Sequence, residues 1–301
     1  MALRSRPQLE LPTPDLAGPG LATVVLGLAS AVAWGAGDFG GGWTGRRAPV
    51  LGIGIGVDAI GVVMIAAVAV AIGEPWPGSV TLLLSGLAGV CAVAGLLGLY
   101  AGLAVGRMGV VAPVTAVIAA ILPVVVGFAR LGLPGTGVLI GIGSAMVAVV
   151  LVSRSPDPAG RRSGIEYAIV GGIGIGLFNV VVGAFPEDLV AWPLAVIKGV
   201  AMVTTVSIVL LGRRPWRVPG PLIPAVATIA VLDLAGTGFY ILATQAGRLD
   251  VAATLSSLYP VTTIILAIVL LHERVSRSHL AGIIMAGLAV ALIAGGSAAP
   301  A

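Results

Sequence analysis

The chain is poor in charged residues, aromatic residues, cysteine and lysine, and each shortage excludes a class of protein. Charged residues make up 9% of its 301 residues and aromatic residues 5%. Soluble domains carry about 25% charged residues, so these few charges cannot cover a water-exposed surface. The single cysteine, Cys91, excludes an intrachain disulfide and a cysteine metal cluster. Lys198 is the only lysine, and the scattered arginines form no basic block, so no nucleic-acid partner is predicted.

Apolar residues and glycine make up most of the chain. Hydrophobic residues account for 58%, the mean hydropathy is +1.13, and there are 45 glycines. About 20 apolar residues span a bilayer, and dividing the chain at its charges and its proline and glycine clusters gives ten such segments. They cover residues 21–41, 49–73, 79–105, 108–129, 134–153, 165–184, 189–211, 221–246, 250–271 and 278–296. We therefore predict an all-α integral membrane protein with ten transmembrane helices and the lipid bilayer as a partner.

The two halves of the chain resemble each other. When the chain is slid along itself until Gly141 falls on Gly282, Ala94-Gly95 also falls on Ala235-Gly236. We call this alignment the repeat register. With five spans in each half, the second half enters the membrane from the opposite side. The predicted fold is therefore two inverted five-helix repeats, which is typical of secondary transporters with a binding site near the bilayer midplane.

The repeats and the polar segments around them define the predicted domains. They are a disordered tail (1–20), the first repeat (21–153), a linker (154–164), the second repeat (165–296) and a C-terminal tail (297–301).

Four ionisable side chains fall inside the predicted spans: Asp38, Asp58, Lys198 and Asp233. Such residues are costly in a bilayer and mark functional sites by default. Asp58, Lys198 and Asp233 are predicted to lie about 13–18 Å into their helices, and Asp38 nearer the end of its helix. Asp58 is the approximate repeat equivalent of Lys198, on which it falls in a register next to the repeat register. Lys198 is predicted to bind an anionic group such as a carboxylate, to change its charge state with a neighbouring aspartate, or to form a structural ion pair.

Three carboxylates against one lysine leave two carboxylates uncompensated, so at least one should be neutral, solvated or partnered by an ion. This predicts proton coupling, with Asp233 or Asp38 as the carrier. Further substrate-binding candidates are the polar and aromatic residues Trp34, Asn179, Tyr240 and Tyr259, which can orient a ligand or join helices by hydrogen bonds. No cofactor is predicted, and with two histidines in the chain no metal site is predicted either.

The last two spans carry a family motif. It consists of the small residues from Leu249 to Ser257, Pro260, the Glu273-Arg274 turn, Gly282 and Gly287, with Trp34-Gly35 in the first span. In these features the chain resembles the EamA family of the drug/metabolite transporter superfamily, over about residues 21–296. The resemblance implies ten helices around a central cavity and commonly the export of amino acids or other metabolites. The first repeat departs from the pattern, because Ala119 and Gly132 occupy the positions of Pro260 and Glu273.

We predict a secondary transporter of small polar metabolites, amino-acid-like or related, that exports them by alternating access around a midplane cavity, and not an enzyme. A non-transporting membrane scaffold or sensor and a membrane-embedded lipid enzyme are the alternatives. A cytoplasmic N-terminus would place four arginines inside and eleven outside, so the positive-inside rule favours external termini. The family resemblance favours internal termini, and the orientation stays open. The predicted location is the plasma membrane, and the alanine-rich and glycine-rich composition favours a bacterial inner membrane.

Overall fold

The structure is a computed structural model that describes residues 20–105, 108–153, 164–271 and 276–296. Within these ranges the chain forms eleven α-helices and no β-strand. They are α1 (Leu21–Gly45), α2 (Val50–Ile72), α3 (Ser79–Val105), α4 (Met108–Leu131), α5 (Thr136–Val152), α6 (Ile165–Val182), α7 (Ala191–Gly212), α8 (Ile223–Gln245), α9 (Leu249–Ser256), α10 (Tyr259–Leu271) and α11 (Arg277–Gly296). Apart from Gly20 and Gly164, the predicted tails and linker lie outside the described residues, as does the Glu273-Arg274 turn.

The predicted all-helical membrane fold is confirmed. In the described part of the chain, nine segments are long and apolar enough to cross a membrane, and Thr136–Val152 is a shorter apolar helix. Large apolar side chains cover the outside of the bundle, with Leu21 75% exposed and Leu211 87% exposed. Such a surface requires lipid around it.

The ninth predicted span is divided into α9 and α10. Two residues, Ser257 and Leu258, separate the end of α9 from the start of α10 at Tyr259. Proline has no N–H to donate and suits the first turn of a helix, and Pro260 is the second residue of α10. The restart of the helix therefore coincides with Pro260.

Equivalent helices of the two halves make reciprocal contacts. A methyl group built at Gly141 on α5 would lie 2.6 Å from Ile293 on α11, and one built at Gly282 on α11 would lie 2.5 Å from Val152 on α5. In the repeat register Gly141 falls on Gly282, and Val152 falls on Ile293. The early part of α5 thus meets the late part of α11 and the reverse, so the two helices are antiparallel. An axis that exchanges two antiparallel helices is perpendicular to both.

The same exchange relates the inner helices. Gly95 on α3 packs against Ile175 on α6, and Gly236 on α8 packs against Trp34 on α1. The repeat register places Gly95 on Gly236 and Trp34 on Ile175, so these two contacts are also equivalent. Glycine at these positions lets the helices approach closely, as is common between membrane helices. The contacts are those of two five-helix units inverted about an axis in the membrane plane.

Candidate functional site

A cavity of about 500 Å³ lies between the two units. Its volume is within the range of about 300–1,000 Å³ that small-molecule sites occupy. Side chains of α1 to α4 line it from the first unit, and side chains of α6 to α10 line it from the second. Helices α5 and α11 pack together away from it. Seven of the eight predicted site residues line this one cavity: Trp34, Asp38, Asp58, Asn179, Lys198, Asp233 and Tyr259.

The cavity has one open end and one closed end. Its lining extends to Gly45, Arg46 and Val50, where α1 ends and α2 begins. We call this the open end. At the opposite end, the loops 73–78 and 183–190 contribute no lining residue. A buried apolar cluster fills the space before this closed end, formed by Ala88, Val182, Phe185, Ile197, Tyr240, Ile241, Leu249 and Ala253.

Lys198 lies between two carboxylates from neighbouring helices. Its Nζ is 3.4 Å from Asp58 Oδ1 and donates a hydrogen bond to Asp233 Oδ2. The aliphatic stem of the lysine packs over Gly61, where a side chain would lie 3.5 Å from its Cγ and Cδ. The cluster therefore joins α2, α7 and α8 across the two units. A buried charge is tolerated when it is paired in this way.

Asp38 faces the cavity from α1. This helix continues to Gly45, past the predicted end at residue 41, so Asp38 lies about 10 Å before the helix end. Gly37 packs against the backbone of Asp233, which places the two aspartates on facing turns of α1 and α8. Among the described residues, no cation forms a salt bridge with Asp38. In the same part of the chain, no three His, Cys, Asp or Glu side chains are grouped to hold a metal ion.

A hydrogen-bonded aromatic wall borders the deep part of the cavity. Trp34 Nε1 donates to Thr237 Oγ1 at 3.4 Å, and the Trp34 and Tyr240 ring centroids are 5.6 Å apart. Tyr240 is fully buried and donates its hydroxyl to the backbone oxygen of Asn179 at 3.1 Å. Tyr240 thus lies behind the lining and holds it in place. The side-chain Oδ1 of Asn179 is buried and accepts no hydrogen bond from the described residues.

Sequence reasoning did not identify Glu74, which lies at the closed end. Its carboxylate accepts hydrogen bonds from the backbone N–H groups of Val190, Ala191 and Trp192 at 3.1, 2.9 and 2.6 Å. The indole N–H of Trp192 also donates to the backbone oxygen of Glu74 at 3.0 Å. Free N–H groups and the helix dipole favour a carboxylate at a helix N-terminus. Glu74 therefore fastens the end of α2 to the start of α7.

A sequence signal for this contact exists. Residues 73–76 (the closed-end loop) and residues 213–216 (the open-end loop) follow α2 and α7 and both end in Pro-Trp. The register that places Asp58 on Lys198 also places these two loops on each other. Trp76 packs edge-on against Trp192, with centroids 4.8 Å apart. The backbone of Trp216 packs on Gly52, which is the equivalent of Trp192 in the same register.

The fold and the site are consistent with a known transporter family. Residues 162–295 match the EamA-like transporter family. Over this segment the chain is similar to EamA-like transporters. The predicted resemblance is thereby confirmed for the second half. The chain is a multi-pass membrane protein, and its second half is similar to a transporter family.

No curated protein matches the chain. A solved structure titled "Crystal structure of protein" is similar to it with a TM-score of 0.69 and 17% sequence identity. The alignment covers 92% of this chain and 95% of the other. At this identity the likeness shows the fold alone, and it shows it over both halves.

Proposed function

We propose that the protein is a secondary transporter that moves a small polar metabolite, amino-acid-like or related, by alternating access. The cavity between the two inverted units, open at one end and with charged residues near its middle, carries this proposal. Two equivalent units can exchange their conformations, and that exchange closes the open end and opens the closed end. Lys198, Asp58 and Asp233 lie where both units meet the solute.

The arginines support export as the direction. The loops after α1, α3, α5, α7 and α10, together with the start of α11, hold eleven arginines, whereas the other side of the membrane holds four. By the positive-inside rule the arginine-rich side is cytoplasmic, and it is the side to which the cavity opens. In our proposal the solute enters from the cytoplasm, both termini are external, and the location is the plasma membrane of a bacterium.

Two single-cysteine variants test this orientation. Cys91 is the only cysteine, so Cys91→Ala gives a background for Trp76→Cys and Trp216→Cys, whose native side chains are 62% and 49% exposed. In intact cells, a membrane-impermeant maleimide should label the variant at residue 76 and spare the one at residue 216. The reverse pattern contradicts the orientation and with it the direction of export.

Proton coupling belongs to the proposal. Deep in the cavity, one lysine faces the carboxylates of Asp38, Asp58 and Asp233, while Arg46 lies near the mouth. Excess charge is costly once the site is sealed from water, so a proton on Asp38 or Asp233 would compensate it. Flux in proteoliposomes should then rise with an imposed pH gradient and fall when an ionophore collapses that gradient. Flux that ignores the gradient rules out proton coupling.

Metabolite release tests transport itself. Bacteria that overproduce the protein, the Lys198→Met variant or the loop variant Asp188→Asn are compared by untargeted mass spectrometry of the medium, at equal membrane levels. We expect one metabolite class to rise outside cells with the native protein and Asp188→Asn, and to stay at background with Lys198→Met. No change with any of them favours a scaffold or sensor, and an altered lipid profile favours a lipid enzyme.

A further inference from the structure

The charges deep in the cavity are unfavourable for an anionic solute. Lys198 is the cation that an anion would need, and it already pairs with both Asp58 and Asp233. An ammonium group has three donors, and two of them are directed to these carboxylates. Asp38 adds a third carboxylate that faces the cavity and forms no salt bridge within the described residues. The deep cavity therefore has more negative than positive charge.

The remaining polar groups of the deep lining also favour a solute that donates hydrogen bonds. Ser256 and Ser257 donate their hydroxyls to the backbone oxygens of Gly27 and Thr254, so these hydroxyl hydrogens are engaged within the protein. Asn179 Oδ1 is a buried acceptor without a partner in the described residues. Leaving such an acceptor unpaired costs free energy. Asn179 is the equivalent of Asp38 in the repeat register, and both residues line the cavity, from opposite units.

Aromatic and apolar side chains make up much of the rest of the wall. Trp34, Phe178 and Tyr259 line the cavity together with aliphatic residues of α3 and α4. The ring of Trp34 is fixed by its hydrogen bond to Thr237 and its contact with Tyr240. Such rings bind the apolar part of a solute, and their faces attract a cation. The wall thus suits an apolar body that carries a positive charge.

We propose that the solute is a monovalent organic cation: a primary ammonium group on an aromatic or apolar body. Its ammonium binds Asp38 next to Asp233, and its body packs against Trp34, Phe178 and Tyr259. This inference rests on the proposed function and narrows its substrate class to amines. Solute and proton then compete for the same carboxylate charge, because either one compensates it when the cavity closes.

Three small probes with one ring and different charges test the inference. They are 2-phenylethylamine, the neutral 2-phenylethanol and the anionic phenylacetate, each titrated calorimetrically into the full-length protein in nanodiscs. Because a hydrogen bond to a charged partner strengthens binding, we expect the amine to bind about tenfold or more tightly than the alcohol. Phenylacetate should show no heat of binding. Equal affinities for amine and alcohol, or tighter binding of the acid, overturn the inference.

Variants at Asp38 locate the ammonium site. Asp38→Asn should weaken amine binding about tenfold and leave the affinity for the alcohol unchanged, while Asp38→Glu should restore most of the amine preference. Asp188→Asn removes a carboxylate from the exposed loop 183–190 and should bind all probes as the native protein does. An amine preference that survives Asp38→Asn, with an unchanged melting temperature, overturns the assignment to Asp38.

The outcomes separate this inference from the proposed function. Untargeted metabolite release needs no choice of ligand, so it reports on transport whatever the solute is. Release of a metabolite class without any amine preference in the calorimeter overturns the inference and leaves the transporter standing. No binding of any probe also overturns the inference, and no metabolite release alongside it overturns the transporter as well.

Discussion

The closed-end and open-end loops begin with the same backbone geometry. Gly73 directly follows α2 and Arg213 directly follows α7. Both residues adopt left-handed conformations, with φ of 66° and 47°. In each loop the next N–H, of Glu74 or Arg214, donates to a carbonyl five residues earlier at 3.0 Å. Such an arrangement satisfies carbonyls that a helix C-terminus leaves free. The two units thus end these helices with the same C-terminal capping geometry.

The loops differ in charge at two equivalent positions, Gly73 against Arg213 and Glu74 against Arg214. Glu74 accepts three N–H groups at the start of α7. Its equivalent, Arg214, has no acceptor to offer the start of α2, and there the backbone of Trp216 packs on Gly52. The end with the carboxylate is the end at which the cavity is closed. Side chains that differ between the equivalent loops therefore distinguish the closed end from the open end of an otherwise symmetric scaffold.

Locking the closed end should have the largest effect. Trp76 and Trp192 are in ring contact, so the pair Trp76→Cys and Trp192→Cys, in a Cys91→Ala background, can be bridged by a bifunctional maleimide that has a disulfide in its spacer. Because alternating access requires this end to open, transport in proteoliposomes should fall to background. Reduction of the disulfide should restore transport. A bridged protein that still transports refutes a moving closed end, and each single-cysteine variant serves as the control.

Removing the carboxylate at the closed end should have the next largest effect. Glu74→Gln exchanges a charged acceptor for a neutral one, and loss of a helix cap costs about 1 kcal/mol. The closed end should therefore open more often, and maleimide labelling of Ala253→Cys, which is buried in the cluster that includes Phe185 of the loop 183–190, should be a measure of it. We expect faster labelling at unchanged expression. Glu187→Gln, in the same loop, is the matched control and should label at the native rate.

Placing a carboxylate at the open end should shift the conformation in the other direction. Arg214→Glu gives the open-end loop the acceptor that Glu74 provides at the closed end, next to the free N–H groups of α2. Labelling of Leu51→Cys, a cavity residue near that end, should slow several-fold, the factor expected from about 1 kcal/mol. Combining Arg214→Glu with Glu74→Arg should reverse both labelling rates. Rates that do not move would show that the loop charges do not set the conformation.

The smallest effect concerns the left-handed residues. A non-glycine residue in this conformation costs about 1 kcal/mol, so Arg213→Gly should raise the melting temperature of the protein in nanodiscs. Gly73→Ala should lower it for the same reason. Circular dichroism during heating measures both. We expect the two substitutions to change the melting temperature in opposite directions. A change in the same direction would contradict the shared backbone geometry.

The spans and the repeat were predictable because hydropathy and small-residue spacing are local properties of the chain. Gly141 and Gly282 align in sequence, and they make reciprocal contacts in the bundle. The pairing of Lys198 with Asp58 and Asp233 was also predictable, because a buried lysine requires carboxylate partners. The roles of these residues stay predictions.

Other features depend on contacts that no local pattern reveals. Glu74 lies in a loop, and its role depends on the start of α7 lying beside it. Asp250 is fully buried under Arg248, which also donates to the carbonyl of Gly132 at the end of α4. The first helix was predicted to end at residue 41, and the glycines after Asp38 continue it to Gly45. The contacts of Glu74 and Arg248 join residues that are far apart in the sequence, so a local sequence pattern does not predict them.

The proposed orientation requires that the cavity of this conformation opens to the cytoplasm through the arginine-rich end. A single cysteine at residue 51, introduced as Leu51→Cys in the Cys91→Ala background, reports on this directly. We predict that a membrane-impermeant maleimide labels this cysteine in inside-out vesicles and leaves it unlabelled in intact cells. Labelling in intact cells and protection in inside-out vesicles would contradict a cytoplasmic opening, because the cavity would then open to the outside.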